Sequence, residues 1–137
     1  MFQHLTWDVG VLRFTYPNAA SRYQLDSFEY HLGVNRTLQD VSVSAIYHYS
    51  PDYSGAGKSH YIETTIAVPL AHHFKLAFHA GHQTFTRNAW YGMPDYSDWR
   101  VAVEHDVAGF NVQLAWSDTN VANNESCFFG QAGVAVV

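Results

Sequence analysis

The sequence predicts an all-β protein, an antiparallel up-and-down meander of about eight strands of the transmembrane β-barrel type. Three observations predict it. Apolar and polar residues alternate with period two along most of the chain, and no apolar stripe of helical period extends beyond about two turns. The links between alternating runs switch regularly between long and short. The polar positions are poor in charge: Asp, Glu, Lys and Arg make up 14% of the 137 residues and aromatic residues 16%, where soluble domains carry roughly 25% charged residues. A soluble fold covers its water-facing side with charged side chains. Here Ser, Thr, Asn, Gln, Gly and His hold those positions, which reads as a polar face that is not the outer face.

The elements follow in order. Leu5 to Phe14 alternates loosely, with Trp7, Val9 and Val11 in phase. Ser27 to Asn35 sets Phe28, Tyr30, Leu32 and Val34 against Ser27, Glu29, His31, Gly33 and Asn35. Val41 to Tyr49 sets Val41, Val43, Ala45, Tyr47 and Tyr49 against Ser42, Ser44, Ile46 and His48. Ser59 to Val68 sets Ile62, Thr64, Ile66 and Val68 against Tyr61, Glu63, Thr65 and Ala67. Phe74 to Gln83 sets Phe74, Leu76, Phe78 and Ala80 against Lys75, Ala77, His79, Gly81 and Gln83. Tyr96 to His105 sets Trp99, Val101 and Val103 against Asp98, Arg100, Ala102 and Glu104. Phe110 to Ser117 sets Phe110, Val112, Leu114 and Trp116 against Asn111, Gln113, Ala115 and Ser117. Cys127 to Val137 closes the series, with Phe128, Ala132, Val134 and Val136 in phase.

Thr15–Asp26, Ser50–Lys58, Thr84–Asp95 and Asp118–Ser126 are the long links; Arg36–Asp40, Pro69–His73 and Asp106–Gly109 are the short ones. Antiparallel neighbours joined this way collect short turns on one rim and long loops on the other. With strands of about 9–11 residues, that asymmetry is the pattern of membrane barrels. Two Pro-Asp-Tyr segments, Pro51 to Tyr53 and Pro94 to Tyr96, border long loops. Proline belongs where ladder pairing stops, Asp opens a turn, and Tyr suits the boundary between hydrocarbon and headgroups. Tyr47, Tyr49, Tyr53, Tyr96, Trp99 and Trp116 are therefore candidates for an aromatic girdle, with Trp90 and Tyr91 near the same rim.

Glu29, His31, Glu63, Lys75, His79, Asp98, Arg100 and Glu104 fall on the polar faces. An eight-stranded barrel has an interior only wide enough for side chains to fill, and charges buried there must pair. These residues are read as a lumen network, with Arg100 and Lys75 facing Glu29, Glu63 and Glu104, in preference to an open pore or an acid/base pair.

The nine histidines yield no metal site. His72 and His73 share a short turn, and His79 and His82 stand at i and i+3 on a strand, which point to opposite faces; a cross-strand pair such as His31 with His79 stays open. No nucleophile elbow, phosphate loop or zinc motif occurs, so neither enzyme activity nor a cofactor is expected. Ser54-Gly55-Ala56-Gly57-Lys58 lacks P-loop context and reads as an outer loop. Arg87-Asn88-Ala89-Trp90-Tyr91 reads as an aromatic loop tip, with glycan or lipopolysaccharide contact as the alternative. The formal charge of −5 argues against nucleic acid. The lone Cys127 excludes an internal disulfide framework, no apolar run reaches the length of a membrane helix, and the first residues lack the features of a signal peptide.

Asp8 to Pro17 (DVGVLRFTYP), Tyr49 to Gly55 (YSPDYSG), His60 to Leu70 (HYIETTIAVPL), Phe74 to His82 (FKLAFHAGH) and Tyr96 to Val103 (YSDWRVAV) occur in that order, followed by Gly109-Phe110, Leu114-Ala115 and Asp118-Thr119. Together they resemble the C-terminal part of the Gcw_chp family of Gram-negative bacterial proteins. The resemblance implies an exported, outer-membrane β-barrel-like protein and supplies no catalytic residue. It also implies a signal peptide and several further strands ahead of this segment, so eight strands either close a small barrel or form part of a larger, N-terminally truncated one. The expected partners are membrane lipid or lipopolysaccharide, with a homo-oligomer left open and no small solute specified. The competing reading is a soluble β-sandwich or lipocalin-like ligand-binding protein, in which the same alternation points its apolar side inward.

Overall fold

The computed structural model describes residues 5–17, 26–92, 94–107, 110–121 and 134–136. The alternating runs form strands β1 (Leu5–Phe14), β2 (Ser27–Leu38), β3 (Val41–Ser50), β4 (Ser59–Pro69), β5 (Phe74–Phe85), β6 (Tyr96–Val107), β7 (Phe110–Thr119) and β8 (Val134–Val136). A single helical turn, α1 (Asn88–Tyr91), lies in the connection before β6. Every strand pairs antiparallel with its sequence neighbours, giving one sheet in the order β1 to β8. Seven strands are full length and β8 has three residues. Among the described residues β1 and β8 do not pair, so the sheet is open.

The ladders of β2, β5, β6 and β7 run further than alternation alone indicated. Arg36, Thr37 and Leu38 continue β2 up to a turn made of Gln39 and Asp40, where Leu38 pairs with Val41. Gln39 takes the left-handed conformation the turn needs, at φ 56°. A charged residue near a rim looks like a turn residue in sequence, yet it pairs as strand wherever the hairpin is this tight. Pro69 closes β4 opposite Lys75, at a strand end where its missing N–H is no loss. Of the run from Cys127 to Val137, only the β8 residues lie within the described part.

Short turns gather at one rim of the sheet and the long connections at the other, as the link lengths indicated. The two faces differ in an unusual sense. Large apolar side chains are exposed on one face, with Val9 at 74%, Trp116 at 63% and Leu114 at 62% of full accessibility. The opposite face carries Glu29, His48, Tyr61, Glu63, His79, Asp98 and Glu104, all only partly accessible. A single sheet can shelter one face only by curling around it, and here the sheltered face is the polar one. Among the described residues the buried apolar side chains are only Ala56, Phe85 and Ala102.

Candidate functional site on the polar face

Register decides which polar side chains meet. His31, His48, Tyr61, Gln83 and Tyr96 stand side by side across β2 to β6. The next row toward the short turns is Gly33, Ile46, Glu63, Gly81 and Asp98. Residues two apart on each strand share this face, so side chains of the two rows interdigitate. His48 Nδ1 lies 2.9 Å from Glu29 Oε1 and its Nε2 lies 2.9 Å from Glu63 Oε1. Glu63 Oε2 reaches His79 Nδ1 at 3.4 Å, and His79 Nε2 reaches Asp98 Oδ1 at 3.1 Å. Tyr61 donates its hydroxyl to Asp98 at 3.1 Å. At the β1 side, His31 Nε2 meets Asp8 at 3.2 Å, and the His31 and His48 rings stand 5.8 Å apart. A belt of carboxylates, imidazoles and a phenol thus runs without a break from β2 to β6.

Two glycines make the belt possible. Gly10 lies opposite His31, and Gly81 lies diagonally beside Tyr61. A Cβ on Gly10 would overlap the His31 ring, and one on Gly81 would overlap the Tyr61 ring. Without a side chain at position 81, the Tyr61 ring crosses β5 and its hydroxyl reaches Asp98 on β6. This is a ring lying over a strand glycine, a close approach that only glycine permits.

A second polar cluster sits nearer the short turns. Lys75 pairs with Glu104 at 2.6 Å, Gln113 donates to Glu104 at 2.8 Å, and Arg100 donates to Gln113. Of the polar-face candidates, Glu29, His31, Glu63, His79 and Asp98 lie in the first cluster and Lys75, Arg100 and Glu104 in the second. Lys75 and Arg100 serve Glu104 and Gln113, whereas Glu29 and Glu63 are held by His48. Asp8, His48, Tyr61 and Gln113 complete the clusters and were not singled out from sequence. Alternation had placed His48, Tyr61 and Gln113 on this face, but their partners follow from register.

The aromatic candidates divide by face. Tyr47, Tyr49, Trp99 and Trp116 project from the apolar face. Tyr47 Oη meets His60 Nδ1 at 2.5 Å, and Tyr49 stacks on Tyr30 with centroids 6.5 Å apart. Tyr53 and Tyr96 instead flank Phe85 on the polar side, at 5.6 and 6.4 Å between centroids. With Ala56 they cap the long-loop end of the curled sheet, where Ser50, Ser59 and Gln83 are buried. The loop carrying Tyr53 is tied down by Arg87 N–H to Ala56 O and Thr86 N–H to Lys58 O. Asp95 accepts from Phe85 N–H at 2.8 Å. The side chains of Trp90 and Tyr91 lie outside those described.

His79 and His82 point to opposite faces: His79 belongs to the belt and His82 meets Ser97 at 2.9 Å on the apolar side. Among the described residues no three His, Cys, Asp or Glu converge as a metal site. What the belt offers chemically is proton exchange between imidazole and carboxylate.

A family model described as a bacterial protein of unknown function (Gcw_chp) matches residues 2–136. The match spans almost the whole chain, and the chain belongs to that family. No curated protein and no solved structure matches it.

Proposed function

We propose that this Gcw_chp chain is an outer-membrane β-barrel protein, its apolar face toward acyl chains and its polar face turned inward. Its role is structural, or that of a narrow pore with a lumen filled by side chains. One observation carries the reading: the large apolar side chains are on the exposed face and the carboxylates and histidines on the sheltered face, the reverse of a soluble sheet. An exposed apolar surface this extensive marks a membrane or partner surface.

Dimensions agree. Full-length strands have ten to twelve residues. At about 3.3 Å per residue and a tilt of about 40°, they rise roughly 25–30 Å, enough for the apolar band of an outer-membrane barrel. Tyr30, Tyr47, Tyr49 and His60 mark the long-loop boundary of that band. Phe74, stacked on His105 with centroids 4.0 Å apart, marks the short-turn boundary. Within hydrocarbon every backbone group needs a partner. The free edge of β1 must therefore pair, either by closure of these eight strands or with further strands of the same barrel.

Fractionation tests the proposal. Expressed in a Gram-negative host behind a functional leader, the chain should be recovered in washed outer membranes and released only by detergent. Recovery as a detergent-free monomer with a cooperative melt would overturn it in favour of a soluble binding protein. Planar-bilayer recording separates the two roles, since a filled lumen gives no single-channel steps and a narrow pore gives them.

A further inference from the structure

His48 on the polar face is hydrogen-bonded to a carboxylate at each ring nitrogen, and His79 lies near a carboxylate at each. His48 of β3 stands between Glu29 of β2 and Glu63 of β4, at 2.9 Å on both sides. His79 of β5 stands between Glu63 and Asp98 of β6, at 3.4 and 3.1 Å. A neutral imidazole donates through one nitrogen and presents a lone pair at the other, whereas an imidazolium donates through both. Facing an ionised carboxylate, the lone pair of a neutral ring is repelled and one of the two bonds is lost. A carboxyl group is ordinarily the stronger acid of the two by about two pH units, so the proton that completes the His48 site belongs on the ring.

At His48 the surroundings supply no substitute for that proton, whereas at His79 the Thr65 hydroxyl, 3.3 Å from Nδ1, can donate in its place. Glu29 and His31 face His48 from β2, and Tyr61 and Glu63 face it from β4. Tyr61, Glu63 and Thr65 face His79 from β4, and Asp98 and Arg100 face it from β6. Arg100 is turned to Gln113, and Lys75 is paired with Glu104. Tyr61 spends its proton on Asp98, and His31 is engaged by Asp8.

We propose that His48 makes this belt a proton-operated clamp. With its ring doubly protonated it ties β2 to β4 across the sheltered face; when the ring loses a proton, one bond opens and the curl of the sheet is loosened. The inference rests on hydrogen-bond geometry and holds whether the polar face encloses a membrane lumen or lines a soluble cleft.

The test uses the full chain, in detergent micelles or, if it proves soluble, in buffer. Nitrogen-15 NMR of labelled histidine reads the protons on each ring directly. His48 is expected to carry protons on both nitrogens at pH ~5.5 and on one at pH ~8.5, on either side of the ordinary imidazole range. Over the same interval the denaturant midpoint should fall with rising pH, the mark of a proton held by the folded chain and released on unfolding. That fall should be lost in His48→Gln and persist in His60→Gln/His82→Gln on the apolar face. A neutral His48 ring at pH ~5.5, or an unchanged pH dependence in the first variant, would overturn the proposal. If that variant does not fold, the NMR reading of the unmodified chain decides alone.

Discussion

Gly81 shows how much of the polar face depends on a missing side chain. Tyr61 lies across it to reach Asp98, so Gly81→Val should displace the phenol ring and strip Asp98 of a donor. Overpacking of this kind costs about 1–3 kcal/mol, read as a lowered denaturant midpoint of the folded chain. Gly33→Ala provides the contrast. A Cβ there would stand 3.3 Å from Ile46 Cγ1 and 3.4 Å from Asp8 Cβ, a contact that shifts of a few tenths of an ångström relieve, and its effect should be well below that of Gly81→Val. At this scale the sequence was informative about faces and silent about partners. Alternation placed Glu63 on the polar side, but whether it meets His48 or Lys75 depends on Ile46 pairing with Glu63 across β3 and β4. Turn geometry fixes that register and the period-two pattern does not contain it. Tyr53 and Tyr96 show the same limit: being near a rim made them girdle candidates, while their faces turn them toward Phe85.

At the scale of the strand, the period-two pattern was enough to find the elements, because a sheet with one apolar and one polar face imprints both on the chain. β1 was delimited from Leu5 to Phe14, and β3 and β4 to within a residue of their ends. Where the reading stopped short, as at Arg36 to Leu38, charge near a rim obscured a ladder that backbone pairing continues to the turn. The one-turn α1 left no sequence signal, being too short for a helical period. β7 offers the sharpest test of what its two faces meet. Leu114 is exposed at 62% and pairs with Val103, so Leu114→Arg is a mild change if that face meets water. In a bilayer, an arginine on the lipid face near the midplane costs about 2–4 kcal/mol. Refolding of Leu114→Arg into lipid vesicles should show a loss of that size, and Ala115→Ser on the opposite face should show almost none.

For the molecule as a whole, the decisive property is where its apolar surface sits. A composition with 14% charged and 16% aromatic residues is explained if the sheltered side is polar and the outer side needs no charge. The sheet is one layer, its buried apolar side chains among the described residues are Ala56 and Phe85 at the long-loop end and Ala102 midway along β6, and its polar clusters hold its middle. Stability in such a protein comes from the ladders, the two polar clusters and the solvent that covers the outer face. The most direct measurement of that last term is tryptophan quenching in vesicles. In Trp90→Phe the three remaining tryptophans are Trp7, Trp99 and Trp116, all on the apolar face and all well exposed. The account expects lipids brominated along the acyl chain to quench their fluorescence strongly while aqueous iodide does little. Full quenching by iodide, with no response to the brominated chains, would contradict it.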